Sequence, residues 1–419
     1  MDQPGFFDLD ERYQRLSEAG DPLVKLSALI EFETFRPKLL SALKRSDGSK
    51  GGRPPYDPVL MFKILILQTL YTLPDDATEF QIKDRLSFMR FLGLGLADAV
   101  PDAKTVWLFR EQLTRAGAIE DLFAAFDAWL KGQGYLAMSG QIIDASIIAA
   151  PRQRNSDAEK ALLMEDKIPE DWPAKPARLA QKDRDARWTL KRAKARAAKD
   201  DGTKARIEIA IPVFGYKTHI SIDRKHGFVR RFCVTSAAAH DGAQLANVLD
   251  CANTASDVWA DTAYRSKANE AHLARQGRCS HIHFRRREGL DLSASQRKTN
   301  RARSKIRSAV ETVFAAQKHR FGLFVRAIGL ARARTEIGLA NLAYNLNRFI
   351  WIENQGGSLK SSPRQPSRPP KTPPLTIKPS IQKRPLPQLA PQTRFFEVSI
   401  RCYWSAFRCC PTKIPCSCR

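Results

Sequence analysis

Gln141-Ile142-Ile143-Asp144-Ala145-Ser146-Ile147-Ile148 is the stretch on which the fold class turns. It is short, apolar and rich in β-branched residues, the pattern of a buried strand rather than a helix. A single carboxylate interrupts it. Working outward, Ile207 to Phe214, Lys217 to Asp223 and Gly227 to Thr235 read as successive antiparallel strands, the middle one alternating through Thr218, His219, Ile220, Ser221, Ile222 and Asp223. A helical stretch near Asp241 to Cys251 precedes another short strand, Asp257-Val258-Trp259-Ala260-Asp261. Beyond it the pattern predicts a helix over Ser266 to Arg275, a strand over His281 to Phe284 and a long helix over Ser304 to His319. Strands first, with helices interleaved afterwards, predict an α/β domain built on a mixed sheet.

Upstream of the strand, residues 1–135 read as all-helical. Asp57-Pro58 offers a capping carboxylate followed by proline at the first helical position, and the apolar run to Tyr71 continues from there. A second helix is expected over Thr78 to Phe91, and a third after Asp102, where Val106, Phe109 and Leu113 recur at helical spacing. Trp107 and Trp188 are expected to pack. Three regions follow: a helical region over 1–135, an α/β region over 136–352 with a basic insert at 151–206, and a tail over 353–419. The insert carries 12 Lys/Arg against 4 Asp/Glu between Trp172 and Arg206, a pattern of solvated or DNA-contacting loops. From Gly357 onward stand 12 of the 25 prolines, and 12 Lys/Arg face the single acid Glu397. Such composition predicts disorder, and the region reads as appended out of frame.

The 419 residues carry a formal charge of +25 with 43% hydrophobic residues. That much apolar content supports a core, whereas the charge surplus calls for a polyanionic partner, nucleic acid first. Met1 to Glu18 has no apolar signal region, and the longest apolar run, Val59 to Leu70, is too short for a bilayer at about 20 residues. A cytoplasmic, nucleoid-associated protein without a membrane partner is expected. Cys402, Cys409, Cys410, Cys416 and Cys418 crowd the end without zinc-ligand spacing.

Three acids carry the chemistry. A buried carboxylate is costly unless paired or metal-bound, and Asp144 has isoleucines on both sides. Asp261 ends the second apolar strand, a position that also suits a turn former. Glu311 lies in a helix, where at about 100° per residue Arg307, Glu311 and Lys318 share one face. Phosphodiester chemistry needs neutralisation of the attacking and leaving oxygens, which two Mg²⁺ ions about 4 Å apart supply to a few carboxylates from separate elements.

At these residues the sequence resembles the DDE transposases of bacterial insertion sequences, specifically the insertion-sequence-five (IS-five) group of the IS-four-like class. The resemblance covers about residues 20–352. Ile143-Asp144-Ala145-Ser146 matches the first catalytic block, Phe214-Gly215-Tyr216-Lys217-Thr218-His219 the strand after the insert, and Trp259-Ala260-Asp261-Thr262-Ala263-Tyr264 the second block. The third block keeps Arg307, Glu311 and Lys318 at family spacing, with Ser304 where the family has tyrosine. The Pro55-to-Leu60 and Phe88-to-Leu94 stretches, with Lys104 to Arg110, resemble the family's N-terminal domain. The resemblance implies an RNase H-like fold in which Asp144, Asp261 and Glu311 bind two Mg²⁺ ions, with Mn²⁺ as a substitute. It further implies DNA cleavage at terminal inverted repeats and transfer of the freed 3′-hydroxyl into target DNA; because two DNA ends must then meet, a homodimer on DNA is expected. Arg307 and Lys318 would hold phosphates.

Lys217 and His219 share a strand face and are expected near phosphate, as are Tyr264 and Arg265. His240-Asp241 reads as a loop and helix cap. Cys279, His281 and His283 alternate along a strand without a second ligand pair, which argues against zinc. Two readings compete with a working transposase: an RNase H-like nuclease without strand transfer, and a decayed or domesticated DNA-binding derivative.

Overall fold

The computed structural model describes residues 8–43, 54–165, 167–193, 209–286 and 289–360. The tip of the basic insert at 194–208 and the tail beyond residue 360, with its cysteines, lie outside the described residues.

Among the described residues, eight α-helices precede the first strand: α1 (Asp8–Glu18), α2 (Pro22–Leu29), α3 (Arg36–Leu43), α4 (Pro58–Tyr71), α5 (Asp75–Asp84), α6 (Leu86–Leu92), α7 (Ala103–Arg115) and α8 (Ala118–Gly132). Asp57 caps α4 by accepting from the N–H groups of Val59 and Leu60, as its sequence predicted. From Val59 to Gln68 almost every residue of α4 is buried, so this helix is the axis of the helical region rather than an amphipathic cover. The single helix expected over Thr78 to Phe91 is two. Arg85 adopts an extended conformation (φ −109°, ψ 108°) that ends α5 and re-aims α6.

The strand read from Ile142 and its neighbours is β1 (Gln141–Ala149). The insert is more ordered than its charge suggested, a correction: α9 (Asp157–Met164) and α10 (Pro176–Gln181) lead to β2 (Arg187–Ala193). A Ser156–Glu159 capping box starts α9, and Glu159 also accepts from the indole of Trp172, whose buried ring organises the insert. Trp107 and Trp188 are partly packed, 44% and 39% exposed, with Trp188 leaning on Phe214.

Ile207–Phe214 and Lys217–Asp223 form not two strands but one, β3 (Ile209–Asp223). Gly215 makes this continuity possible. At φ +151°, its backbone passes so close to β1 that a Cβ would stand 2.2 Å from the Ile148 carbonyl oxygen. There β3 exchanges partners, pairing with β2 before Gly215 and with both β1 and β4 (Val229–Ser236) after it. The β3–β4 turn is tied by Asp223, which accepts from the N–H groups of His226 and Phe228 and from Arg230. Arg230 also pairs with Asp127 of α8, a buried link between sheet and helices.

After α11 (Leu245–Val248) come β5 (Asp257–Trp259), α12 (Lys267–Arg275) and β6 (Cys279–Ser280). The strand expected over His281 to Phe284 is a correction: β6 is confined to Cys279–Ser280, and the span beyond it is irregular, although His281 and His283 donate their N–H groups to Val258 and Ala260 alongside β5. The sheet order is β2-β3-β1-β5-β6, with β4 on β3; β5 runs parallel to β1 and β3 antiparallel. The helix expected over Ser304 to His319 is a composite of α13 (Ala294–Arg307), a 3₁₀ turn over Ser308–Val310, α14 (Glu311–Ala315) and a π turn over Ala316–Arg320. Finally α15 (Leu330–Lys360) packs on α2, α4, α7 and α8 and on β4. It continues past residue 353, where the tail was expected to begin. Helices and sheet share one hydrophobic core, in which Phe35, Phe62 and Phe126 join Ile142, Ile220 and Leu342. The result is a helical N-terminal region followed by a mixed parallel and antiparallel sheet with helices, an RNase H-like arrangement.

Candidate active site

Strand alternation decides which side chains meet. Ile142, Asp144, Ser146 and Ile148 share one face of β1, and their partners Ile222, Ile220, Thr218 and Tyr216 on β3 share it too. Ile142 is level with Trp259 on β5, so Asp261, two residues on and still extended (φ −79°, ψ −177°), falls on the same side as Asp144. The composite helix covers this face, because Val310, Val313 and Phe314 join Ile142, Ile220 and Trp259 in one core. Glu311 sits between those anchors. Three acids far apart in sequence thus converge on one side of the central strand.

Asp144 is 8% exposed. Its Oδ1 accepts from the Ala145 N–H at 2.9 Å, and its Oδ2 takes a short charge-assisted bond from Arg307 Nη1. Burial pushes the carboxyl up to about 7; the Arg307 guanidinium and the Ala145 N–H oppose this, and the charges of Asp261 and Glu311 add to it. Asp261 caps the following 3₁₀ turn by accepting from the Ala263 N–H at 2.8 Å, so its turn-forming role and its place near Asp144 coexist. Lys318 Nζ donates to Ser146 Oγ, two residues along β1 from Asp144. Burial lowers the Lys318 pKa, Lys191 lowers it further, and Glu311 opposes them. The tight 3₁₀ turn overwinds the helix and the π turn unwinds it, so Arg307 and Lys318 both still reach β1.

Arg307 therefore meets Asp144, not the open space that phosphate holding would need. Lys217 and His219 lie on the opposite face of the sheet, a correction to their expected approach to phosphate. Lys217 pairs with Asp241 at 2.9 Å and donates to the Ala239 carbonyl. His219 is fully buried against Thr235, and burial lowers its pKa to about 4, so it carries no charge for phosphate. Tyr264 is likewise fully buried and cannot touch DNA directly. Its hydroxyl has no hydrogen-bond partner among the described residues; burial first, then the charges of Asp144, Asp241 and Asp261, hold it well above its ordinary pKa. Arg265 is partly exposed and lies beside Glu270 at 3.6 Å. His240 caps the next turn through Nδ1, as read from sequence. His281 pairs with Asp257 and stacks on Trp259, and Ser304 lies 3.4 Å from His283.

The residues fit a hard divalent cation. All three acids offer oxygen donors, the only ligands Mg²⁺-like ions prefer. Asp144 is raised first by burial and only then by the charges of Asp261 and Glu311, and the unpartnered Tyr264 hydroxyl is buried within reach of Asp144 and Asp261. As the side chains stand, no three His, Cys, Asp or Glu among the described residues already enclose one point. Arg307 takes the place of a cation at Asp144.

A mixed sheet that presents two aspartates and a helical glutamate on one face defines the DDE class of RNase H-like proteins. Residues 136–346 match the family described as Transposase DDE domain, and residues 10–112 match Transposase domain (DUF772). The chain belongs to the Transposase DDE domain family, and the two matches together make it a DDE transposase of the insertion-sequence type. No solved structure matches it. Membership implies DNA as a partner and a divalent metal as cofactor. Among the described residues no helix is long and apolar enough to cross a membrane.

Sequence reading missed Arg303 and Phe284, which stand close to Arg265. The run of arginines near 300 was visible, but only the tertiary contact singles one of them out.

Proposed function

We propose that this chain cuts DNA at the terminal inverted repeats of its own mobile element and joins the freed 3′ ends to target DNA, with Asp144, Asp261 and Glu311 as the metal-holding acids. One relationship carries the reading. The acids ride on separate elements yet face the same side of β1, where burial and mutual repulsion push Asp144 up to about 7. A divalent cation relieves that repulsion. When bound, two Mg²⁺ ions, or Mn²⁺ in their place, neutralise charge at the phosphodiester and activate the attacking oxygen. Arg307, which holds Asp144 in the structure, would with a cation at Asp144 be available to pair with phosphate as a planar fork, and Lys318 would serve phosphate as a point charge. The remaining contribution of the protein is positioning.

The Arg307-Glu311-Lys318 spacing supports the insertion-sequence-five group, with Ser304 as the departure. Residues 1–135 act as the DNA-binding region and residues 136–352 as the catalytic region, with the Pro/Arg/Cys-rich tail read as an appended segment. The protein works in the cytoplasm at the nucleoid. Because two DNA ends must meet, it acts as a homodimer on DNA; a mass measurement finding one subunit per pair of ends would refute this.

The test is cleavage and joining of labelled DNA carrying the element's ends, with Mg²⁺ and with EDTA. Asp144→Asn and Glu311→Gln should each lose about a thousandfold or more, since metal-based charge stabilisation is worth several kcal/mol and each ~1.4 kcal/mol is tenfold. Cutting without joining would identify a nuclease of the same fold. End binding without cutting in the intact chain would identify a derivative that has lost catalysis.

A further inference from the structure

Between the segments that bear Asp261 and Arg307, two arginines meet at one carbonyl. Arg265, four residues past Asp261, donates to the Ile282 oxygen at 2.8 Å, and Arg303, one helical turn before Arg307, donates to the same oxygen at 2.6 Å. Both guanidinium carbons lie 4.7 Å from the centroid of the Phe284 ring. Phe284 is held rigidly, because Asn300 accepts from its N–H at 2.9 Å and donates to its carbonyl at 3.1 Å. The preceding residue, His283, is tied to Ala260, next to Asp261, through its backbone N–H.

Like charges sharing one carbonyl repel, and only part of the repulsion is answered. Glu270 stands 3.6 Å from Arg265, while Arg303 has no ion-pair partner among the described residues. Burial, and after it the Arg265 charge, keep Arg303 below its ordinary pKa, with Glu270 opposing. Each guanidinium has five N–H donors and directs one of them to Ile282, so donors remain on both. Residues four apart on a helix are neighbours at roughly 5–6 Å, which puts Arg303 one turn from Arg307, the residue that meets Asp144.

We propose that Arg265 and Arg303, braced by Phe284, form a paired-guanidinium seat for one phosphodiester of the DNA strand bound at the three acids. The proposal rests on the transposase reading and deepens it. A phosphodiester suits two forks that converge on one anion, and the chain's charge of +25 already selects a polyanion.

The test needs no catalysis. Binding of the full chain to a short fluorescein-labelled DNA duplex is followed by anisotropy across a salt series without metal, for the intact protein, Arg265→Gln, Arg303→Gln and the double variant. Each single variant should bind about tenfold or more weakly, the loss expected for charge-assisted hydrogen bonds. Because both arginines hold the same phosphate, the double variant should flatten the salt slope by about 0.9, not by twice that. Arg265→Gln combined with Arg303→Lys should keep the intact slope that the double Gln variant loses, and thermal melts check folding of each variant. Arg231→Gln, on β4, should bind like the intact chain. Intact affinity and slope in well-folded Gln variants would overturn the seat alone. Failure of the intact chain to bind the duplex in a salt-dependent way would overturn the DNA reading and the seat with it.

Discussion

Arg307 at the end of α13 donates to the carboxylate of Asp144 at the centre of β1, 163 residues away in sequence, and so joins the central strand to the helix that bears Glu311. The guanidinium neutralises a buried acid that two further acids crowd. Any divalent ion that binds there competes with it.

Arg307→Ala should therefore increase the effect of metal on stability. Without metal the variant leaves Asp144 buried and unpaired, and its melting temperature falls. Saturating Ca²⁺ or Mg²⁺ should return more than it gives the intact chain; an ion at a hundredfold its Kd contributes about 2.7 kcal/mol. Melting curves with and without metal decide this, and equal metal shifts in both proteins would count against Arg307 as the competing cation.

Glu336 supplies a pH dependence away from the three acids. Burial pushes its carboxyl up to about 7, with Asp75 adding and Arg110 and the N–H groups of Arg326 and Ala327 opposing. A raised acid favours the folded state below its unfolded pKa of about 4.5, and that contribution is lost as pH rises through about 7. Glu336→Gln should remove this loss. Its melting temperature relative to the intact chain should then climb between pH 5 and pH 8, and a flat difference across that range would refute the assignment.

Gly215→Ala should destabilise the sheet by about 2 kcal/mol or more, in line with strained φ combined with overpacking. The added methyl would meet the Ile148 carbonyl oxygen at 2.2 Å and the Ala150 nitrogen at 2.9 Å, both backbone atoms that cannot turn aside. A denaturant midpoint unchanged from the intact chain would show that β3 does not pass β1 as described.

Arg230→Met should cost about 3–5 kcal/mol, the usual penalty for leaving buried charges without their partner. It strands Asp223, fully buried, and Asp127. Asp223→Asn combined with Arg230→Met should recover part of the loss. A double variant less stable by the full sum of the single losses would mean that the pair is not coupled.

Local patterning alone determined the backbone elements with strong periodicity. The Asp57-Pro58 cap, the β1 run around Asp144, the short strand ending near Asp261 and the α12 helix were all legible because cap chemistry and apolar repeats act within a few residues. The residue types and their order also sufficed for the family resemblance. What local pattern missed depends on distant partners. One residue without a Cβ, Gly215, turns two expected strands into one because β1 lies against it, and Trp172 orders an insert whose charges suggested a loop. Lys217 and His219 alternate with the face that bears Asp144, yet only the register of β3 on β1 puts them on the far side, where burial removes them from the chemistry. The sequence by itself determined which acids and cations this protein carries and in which elements. Only the tertiary structure decided that Arg307 meets Asp144 and that Arg265 and Arg303 share a carbonyl, since such contacts depend on the packing of elements that no local pattern encodes.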